Sequence, residues 1–148
     1  MANGRTTKVY SASNVIVTYG GHTMQGFTGG DDVIQVTRRE DAVQLDIGMQ
    51  GDGVYSQSTD MSGEITISLQ AGSATNDFLS GKARAGELGA LFVAPLVITE
   101  IGTGTKVTAD KCVIQKIPDL SRGATAGDVE WVFLSPFVRS FQTGSEDI

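Results

Sequence analysis

Residues 40–62, EDAVQLDIGMQGDGVYSQSTDMS, constrain the fold most, because they join strand periodicity to an apolar stripe with nothing nearby to cover it. Leu45, Ile47 and Met49 alternate with Gln44, Asp46 and Gly48, the period of a strand with one apolar face. Gly51-Asp52-Gly53 supplies a tight reversal, since glycine reaches positive φ without a Cβ clash. The return arm, residues 54–62, is mostly polar and cannot cover the stripe. An exposed apolar hairpin aggregates unless a partner receives it. Leu45, Ile47, Met49, Asp52, Val54 and Tyr55 are therefore the expected inter-subunit contact residues.

The rest of the chain reads as short strands. Residues 14–19, Asn-Val-Ile-Val-Thr-Tyr, form a strand, Gly20-Gly21 a two-residue turn, and His22 to Phe27 the return arm. In that register Val15, Val17, Tyr19, His22 and Met24 share a face. Residues 28–32 break the sheet and 33–39 resume it. Residues 63–70 alternate without exception: Ile65, Ile67 and Leu69 face one way, and Glu64, Thr66, Ser68 and Gln70 the other. A single short helix is expected over residues 74–85, capped by Ser73, with Asp77 in its first turn and Lys82 and Arg84 near its end. Phe78 and Leu79 should press it on the sheet.

Residues 90–99, ALFVAPLVIT, read as a strand buried on both faces, with a bulge or edge position at Pro95. Gly102-Thr103-Gly104 turns into a strand over 106–117, and a loop at 121–128 leads to the last strong strand at 129–134, which places Trp131 in the core. Residues 1–12 and 140–148 are polar and are expected to form a loose arm and tail. The expected class is mainly β: two packed antiparallel sheets, a sandwich or barrel of seven to nine strands, with one flanking helix, in a single domain over residues 1–148. Nineteen glycines, about 13% against a usual ~7%, fit many tight turns.

The residues of catalysis and metal binding are scarce. His22 is the only histidine and Cys112 the only cysteine, too few nitrogen and sulfur ligands for zinc and insufficient for an intrachain disulfide. Asp31-Asp32, Glu40-Asp41 and Asp52 lack the EF-hand spacing. No P-loop follows Thr28-Gly29-Gly30, and no serine stands in a Gly-x-Ser-x-Gly elbow. The expectation is no enzyme, no catalytic residue, no metal and no cofactor. A net charge of −6 and scattered basic residues leave no footprint for gripping nucleic acid. The absence of a long apolar run or of an apolar leader after MANGRTTKVY, and the single cysteine, suggest a chain folded in a cytoplasm without membrane insertion.

Several segments in order carry a resemblance. They are Ser13-Asn14-Val15-Ile16-Val17-Thr18-Tyr19-Gly20-Gly21-His22, then Gly26-Phe27, Arg39-Glu40-Asp41 and Asp60-Met61-Ser62-Gly63-Glu64-Ile65-Thr66-Ile67. Ser73-Ala74-Thr75-Asn76-Asp77-Phe78-Leu79 and Gln115-Lys116-Ile117-Pro118-Asp119 extend the series. Together, from about residue 10 to 135, they resemble the tail tube proteins of contractile-tailed bacteriophages. The resemblance implies a virion protein, assembled in the host bacterial cytoplasm, whose six copies close into a ring walled inside by a continuous β-barrel. Rings stack into a hollow tube for DNA, and the partners are further copies of the chain, sheath, tail-terminator and baseplate proteins. The type VI secretion tube shares this architecture. The hairpin would then make ring-to-ring contacts, with the N-terminal arm, and Glu64, Thr66, Ser68 and Gln70 would line the lumen. Two alternatives stand beside it: a tube subunit of a tail-like bacteriocin or secretion system, and a carbohydrate- or receptor-binding β-sandwich. The second needs clustered exposed aromatics, and only Tyr55 looks clearly exposed.

Overall fold

The computed structural model describes residues 15–29, 33–101, 104–120 and 127–142. The expected N-terminal arm, Gly102-Thr103, most of the 121–128 loop and the tail beyond residue 142 lie outside these residues, as does much of the break at 28–32. In chain order the elements are β1 (Val15–Tyr19), β2 (His22–Thr23), β3 (Ile34–Arg38), β4 (Val43–Ile47), β5 (Gly53–Gln57) and β6 (Gly63–Gln70). Then come α1 (Thr75–Glu87), β7 (Ala94–Glu100), β8 (Lys106–Ile114), β9 (Asp128–Ser135) and β10 (Phe137–Phe141). All strand pairs are antiparallel. The fold is the mainly β class expected, with two sheets and one helix; the sheets do not close on themselves, so it is a sandwich and not a barrel.

One layer runs β2-β1-β7-β8-β10 and the other β8-β9-β6-β3, with β8 common to both. Residues 106–110 of β8 pair with β10, and residues 106–109 together with Cys112 with β7, whereas Val113 and Ile114 pair with β9. Between them stands Lys111 at φ +51°, the one positive-φ residue other than glycine among the described residues. A strand that changes sheets must bend, and this left-handed residue makes the corner.

The inner faces of the layers meet in one core. Ile65, Ile67 and Leu69 of β6, Trp131 and Phe133 of β9, and Val17 and Tyr19 of β1 are essentially solvent-free. Each such aliphatic or aromatic side chain contributes about 1.5–3 kcal/mol through burial. Tyr19 touches both layers: its ring meets Phe133 edge-on at 5.1 Å between centroids and Phe92 at 5.4 Å. Its hydroxyl donates to the Cys112 carbonyl at 2.9 Å, satisfying a polar group that burial would otherwise penalise. Burial pushes the Tyr19 phenol well above its ordinary pKa and the Cys112 thiol up to about 12. The thiol is an inert core group, as its place in a strand suggested.

The helix buries Thr75, Leu79 and Ala83, a stripe at four-residue spacing, against the sheets. Its position is fixed at its start. Asn76 accepts the Trp131 indole N–H at 2.9 Å and donates to the Gln70 carbonyl at 2.9 Å. The N-cap is Ala74, without a side-chain bond, and not Ser73 as expected; Ser73 stands one residue further out, its Oγ accepting the Thr75 N–H at 3.2 Å while donating to the Gln25 carbonyl. That contact requires Gly26: at its φ of +78°, a Cβ would stand 2.5 Å from the Ser73 side chain. The helix continues through Gly81 to Glu87, past the expected end at residue 85.

Other elements also differ from expectation. β7 is buried on one face only: Leu96 and Ile98 are inside, while Pro95 is exposed and Val97 half-buried. The run is apolar on its outer side too, so composition alone overstated its burial. Pro95 does sit at a register shift between Ala94 and Leu96, but in a strand paired on both sides. The strand expected over 106–117 ends at Ile114. β10 was not anticipated, and it draws Ser140 and Phe141 of the expected loose tail into a strand against β8.

Tyr19→Phe leaves the Cys112 carbonyl without its buried donor and should cost about 1–2 kcal/mol at neutral pH, measured by urea unfolding. The folded chain holds Tyr19 and Cys112 neutral, whereas the unfolded chain ionises them near 10.0 and 9.0. Stability is therefore full below about pH 9 and falls as pH rises above it. The variant should show a shallower alkaline fall than the parent; parallel curves would exclude the phenol as a cause.

Candidate assembly surfaces

β4 and β5 form a two-stranded ribbon that pairs with neither layer. Every residue of both strands is exposed. The register sets Leu45 opposite Tyr55 and Ile47 opposite Gly53. Leu45, Ile47 and Tyr55 thus share a face with Val43, and the side chains of Leu45 and Ile47 lie against the space that a Gly53 Cβ would occupy. Tyr55 is 73% exposed and Ile47 62%. Leu45 and Ile47 of the stripe inferred from alternation share this face and are left uncovered among the described residues.

The same register shows how the rest of the expected contact set stands in the hairpin. Val54 lies opposite Asp46, on the other face from Leu45 and Ile47. Met49 is not in a strand: β4 ends at Ile47, and Met49 stands fully exposed in the reversal. The turn spans residues 48–52, longer than Gly51-Asp52-Gly53 and starting three residues before it, and the Gly48 N–H donates to the Asp52 carbonyl at 2.7 Å. Gly51 supplies the positive φ, +92°, and Gly53 opens the return strand.

The hairpin is anchored firmly at its root. Arg39 N–H donates to the Ser62 carbonyl at 3.1 Å and Ser58 N–H to the Ala42 carbonyl at 2.9 Å. Asp60 accepts the Ser62 N–H at 2.9 Å, and bonds from the Ser62 side chain and backbone hold its carboxyl below the ordinary range. Gly63 lets β6 pass close beneath: a Cβ there would come within 2.7 Å of the Thr37 carbonyl oxygen. Arg38 closes the base by donating from Nε to the Val138 carbonyl at 3.2 Å.

The second surface is the outer face of the β9-β6-β3 layer. Glu64, Thr66 and Ser68 point out of it half-buried, and Gln70 is exposed. Pairing places Gln35 and Thr37 of β3 beside Thr66 and Glu64, and Glu130 and Asp128 of β9 beside Ser68 and Gln70. This face of the three strands therefore carries three carboxylates, Glu64, Asp128 and Glu130, and no lysine or arginine. Asp128 and Glu130 were missed by sequence reasoning. The alternation in Val129-Glu130-Trp131 gives Glu130's direction once Trp131 is core, but only the strand order shows that it adjoins Ser68.

His22 lies beside the first turn, its ring stacked on Phe78 at 4.4 Å and its Nε2 3.3 Å from the Thr75 hydroxyl. It braces the helix start. Among the described residues, no three histidine, cysteine, aspartate or glutamate side chains gather where they could hold a metal ion.

The sequence model of the family described as "Bacteriophage PhiTE tail tube protein" matches residues 6–140, so the chain belongs to that family. A search of curated proteins finds no match. Solved structures of the same fold include a chain of the sheath/tube terminator of the PVC extracellular contractile injection system in its extended state. It is 12% identical, with a TM-score of 0.64 over 92% of this chain and 99% of that one. The tube-terminating cap of the anti-feeding prophage is 14% identical, with a TM-score of 0.59 over 96% of each chain. A chain of the extended PVC sheath-tube complex is 14% identical, with a TM-score of 0.58 over 90% of each.

Proposed function

We propose, with membership of this tail tube family as the premise, that the chain is a structural, non-catalytic subunit of a contractile phage tail. Six copies close into a ring, and rings stack around a lumen through which DNA passes. The observation that carries this reading is the β4–β5 hairpin: wholly exposed, with Val43, Leu45, Ile47 and Tyr55 on one face, and hydrogen-bonded at its base. A flexible apolar loop could collapse onto its own chain, whereas this ribbon is held away from it and needs a neighbour.

Two further features support the ring and the lumen. The sheets are open, with β3 and β10 at edges, and joining them between copies would remove the unpaired backbone groups that invite uncontrolled association. The outer face of β9-β6-β3 has the chemistry of a wall that DNA passes without sticking. Duplex DNA carries one negative charge per about 1.7 Å and is held chiefly by lysine and arginine; this face presents carboxylates, hydroxyls and amides beside the half-buried Val132 and Leu134, and neither lysine nor arginine. Six copies multiply the chain's net charge of −6 around the same axis. Sheath, terminator and baseplate proteins are the partners that follow, in a virion assembled in the host cytoplasm.

A second reading has its own support, since two of the structural neighbours are tube terminators or caps. A terminator forms one ring and stops; a tube subunit polymerises. Negative-stain electron microscopy over a concentration series separates them: hollow tubes of variable length support the tube subunit, and rings that never stack support the terminator.

Leu45→Asp with Ile47→Asp should leave a folded protein with unchanged circular dichroism, because both side chains are exposed, yet one that no longer forms tubes. Tubes of normal length from this variant would remove the hairpin from the assembly. Glu64→Lys with Ser68→Lys should permit assembly and slow DNA ejection from virions carrying it, since two cations per chain would ring the lumen with phosphate-binding sites. Ejection at the parental rate would take β6 out of the lumen.

A further inference from the structure

Val138 stands where the hairpin's root meets β10. Four of the five residues of β10 are exposed, and the fifth, Val138, is solvent-free in the core. The strand pairs with β8 on one side. On the other side both backbone polar groups of Val138 bond to the root. Its N–H donates to the Met61 carbonyl at 2.9 Å, and its carbonyl accepts Arg38 Nε at 3.2 Å. Arg38 precedes β4 and Met61 follows β5, so the two bonds take one leg of the hairpin each. The Val138 side chain lies against the same root, since a Cβ on Gly63 would stand 2.9 Å from its Cγ2. One residue thus anchors β10 by its side chain and holds both legs by its backbone.

The root needs such a hold because the ribbon's pairing breaks there. β3 and β6 pair as far as Arg38 and Gly63, and the Arg39 N–H still reaches the Ser62 carbonyl. Pairing resumes at Ala42 and Ser58. Between those bonds one leg has two residues, Glu40 and Asp41, and the other three, residues 59–61. Unequal legs bend a two-stranded ribbon and leave a residue out of the ladder. Pairing across the break therefore does not set the hairpin's direction alone. Asp60 tightens the longer leg by accepting the Ser62 N–H, but that bond stays within the leg. Met61, in the same leg, is the residue bridged to β10.

We infer that Arg38 and Val138 form a clamp that fixes the angle at which the hairpin leaves the sandwich, with Arg38 as its positioning residue. The hairpin is aligned while β10 is seated on β8 and loses its alignment when β10 leaves. β10 follows every other described element in the chain, so during synthesis the alignment waits for this strand. A chain with β10 displaced carries the same apolar side chains on a loose hinge, and must lose more entropy to dock them. The effect on assembly rests on the tube reading above, whereas the clamp is a property of the single chain.

The test uses full-length chains spin-labelled at Ser56→Cys, on the hairpin's polar face, and Gln70→Cys, at the far end of β6. Both positions are exposed and the native Cys112 is buried. Pulsed electron spin resonance, at a concentration that keeps the chains single, reads the spread of hairpin-to-sandwich distances. The parent should give one narrow distribution. Arg38→Ala should give one at least about twice as broad, through loss of a charge-assisted bond at the hinge. Arg38→Met, which keeps the stem without a donor, should broaden it equally, and Arg38→Lys, which keeps a donor, should restore it. Arg38 is exposed, so circular dichroism should stay parental in all three. Arg39→Ala removes the same charge one residue on and should leave the distribution narrow. No broadening from Arg38→Ala and Arg38→Met, or equal broadening from Arg39→Ala, overturns the clamp and leaves the tube reading standing. Val138→Gly removes the core anchor but keeps both backbone groups, and should broaden the distances as Arg38→Ala does; a narrow distribution would overturn the dependence on β10. In electron microscopy, Arg38→Ala should raise the concentration at which tubes form at least about threefold. Broadened distances with tubes at the parental concentration overturn the effect on assembly. Parent chains that show the clamp and never form tubes count against the tube reading and keep the clamp.

Discussion

The inner faces of the two sheets have little besides each other and one helix to bury against, and this mutual burial organises everything else. Tyr19 is where the constraint is most concentrated. Its ring packs between Phe92 and Phe133, and its hydroxyl reaches the Cys112 carbonyl on the strand that both layers share. With one bulky amphipathic side chain satisfied on both counts, the distance between layers is fixed. β8 can then leave one sheet and enter the other at Lys111.

Once the inner faces are committed, the outer faces are determined by alternation and must answer to something outside the chain. The β9-β6-β3 face is mostly polar, with hydroxyls, amides and three carboxylates around the half-buried Val132 and Leu134. The hairpin and the groove between α1 and the end of β8 are not: both leave large apolar side chains in solvent. A chain that spends apolar area in this way is stable as a monomer only at a cost in solubility, and gains from association. The fold thus divides its surface between one wall that carries carboxylates and no lysine or arginine and two patches that leave large apolar side chains exposed.

The hairpin combines full exposure with a hydrogen-bonded base. Its ten strand residues are all exposed, so their burial contributes little to the stability of the single chain. The ribbon is nonetheless tied at its base by backbone bonds at Arg39 and Ser62, by Asp60, and by the close approach that Gly63 permits. An apolar ribbon already held in shape loses less entropy on docking than a loop that must first order itself. That makes pre-organisation a physical property of the root and not of the tip.

Much of this was legible in the sequence. The strict alternation of β6, the stripe of Leu45 and Ile47, the core position of Trp131, the Gly20-Gly21 turn and the single helix all follow from periodicity and local stereochemistry. These are short-range signals, set by which side chains can share a face within a few residues. The sequence could not decide which strands would be neighbours. That Glu130 stands beside Ser68, that Val54 faces away from Leu45, that β10 exists and draws in Phe141, and that β7 hides only one of its two apolar faces are consequences of pairing between distant segments. So is the groove built from α1, Phe92 and the end of β8 with the residues that follow it. Alternation tells a residue to point in or out; only packing decides what lies there.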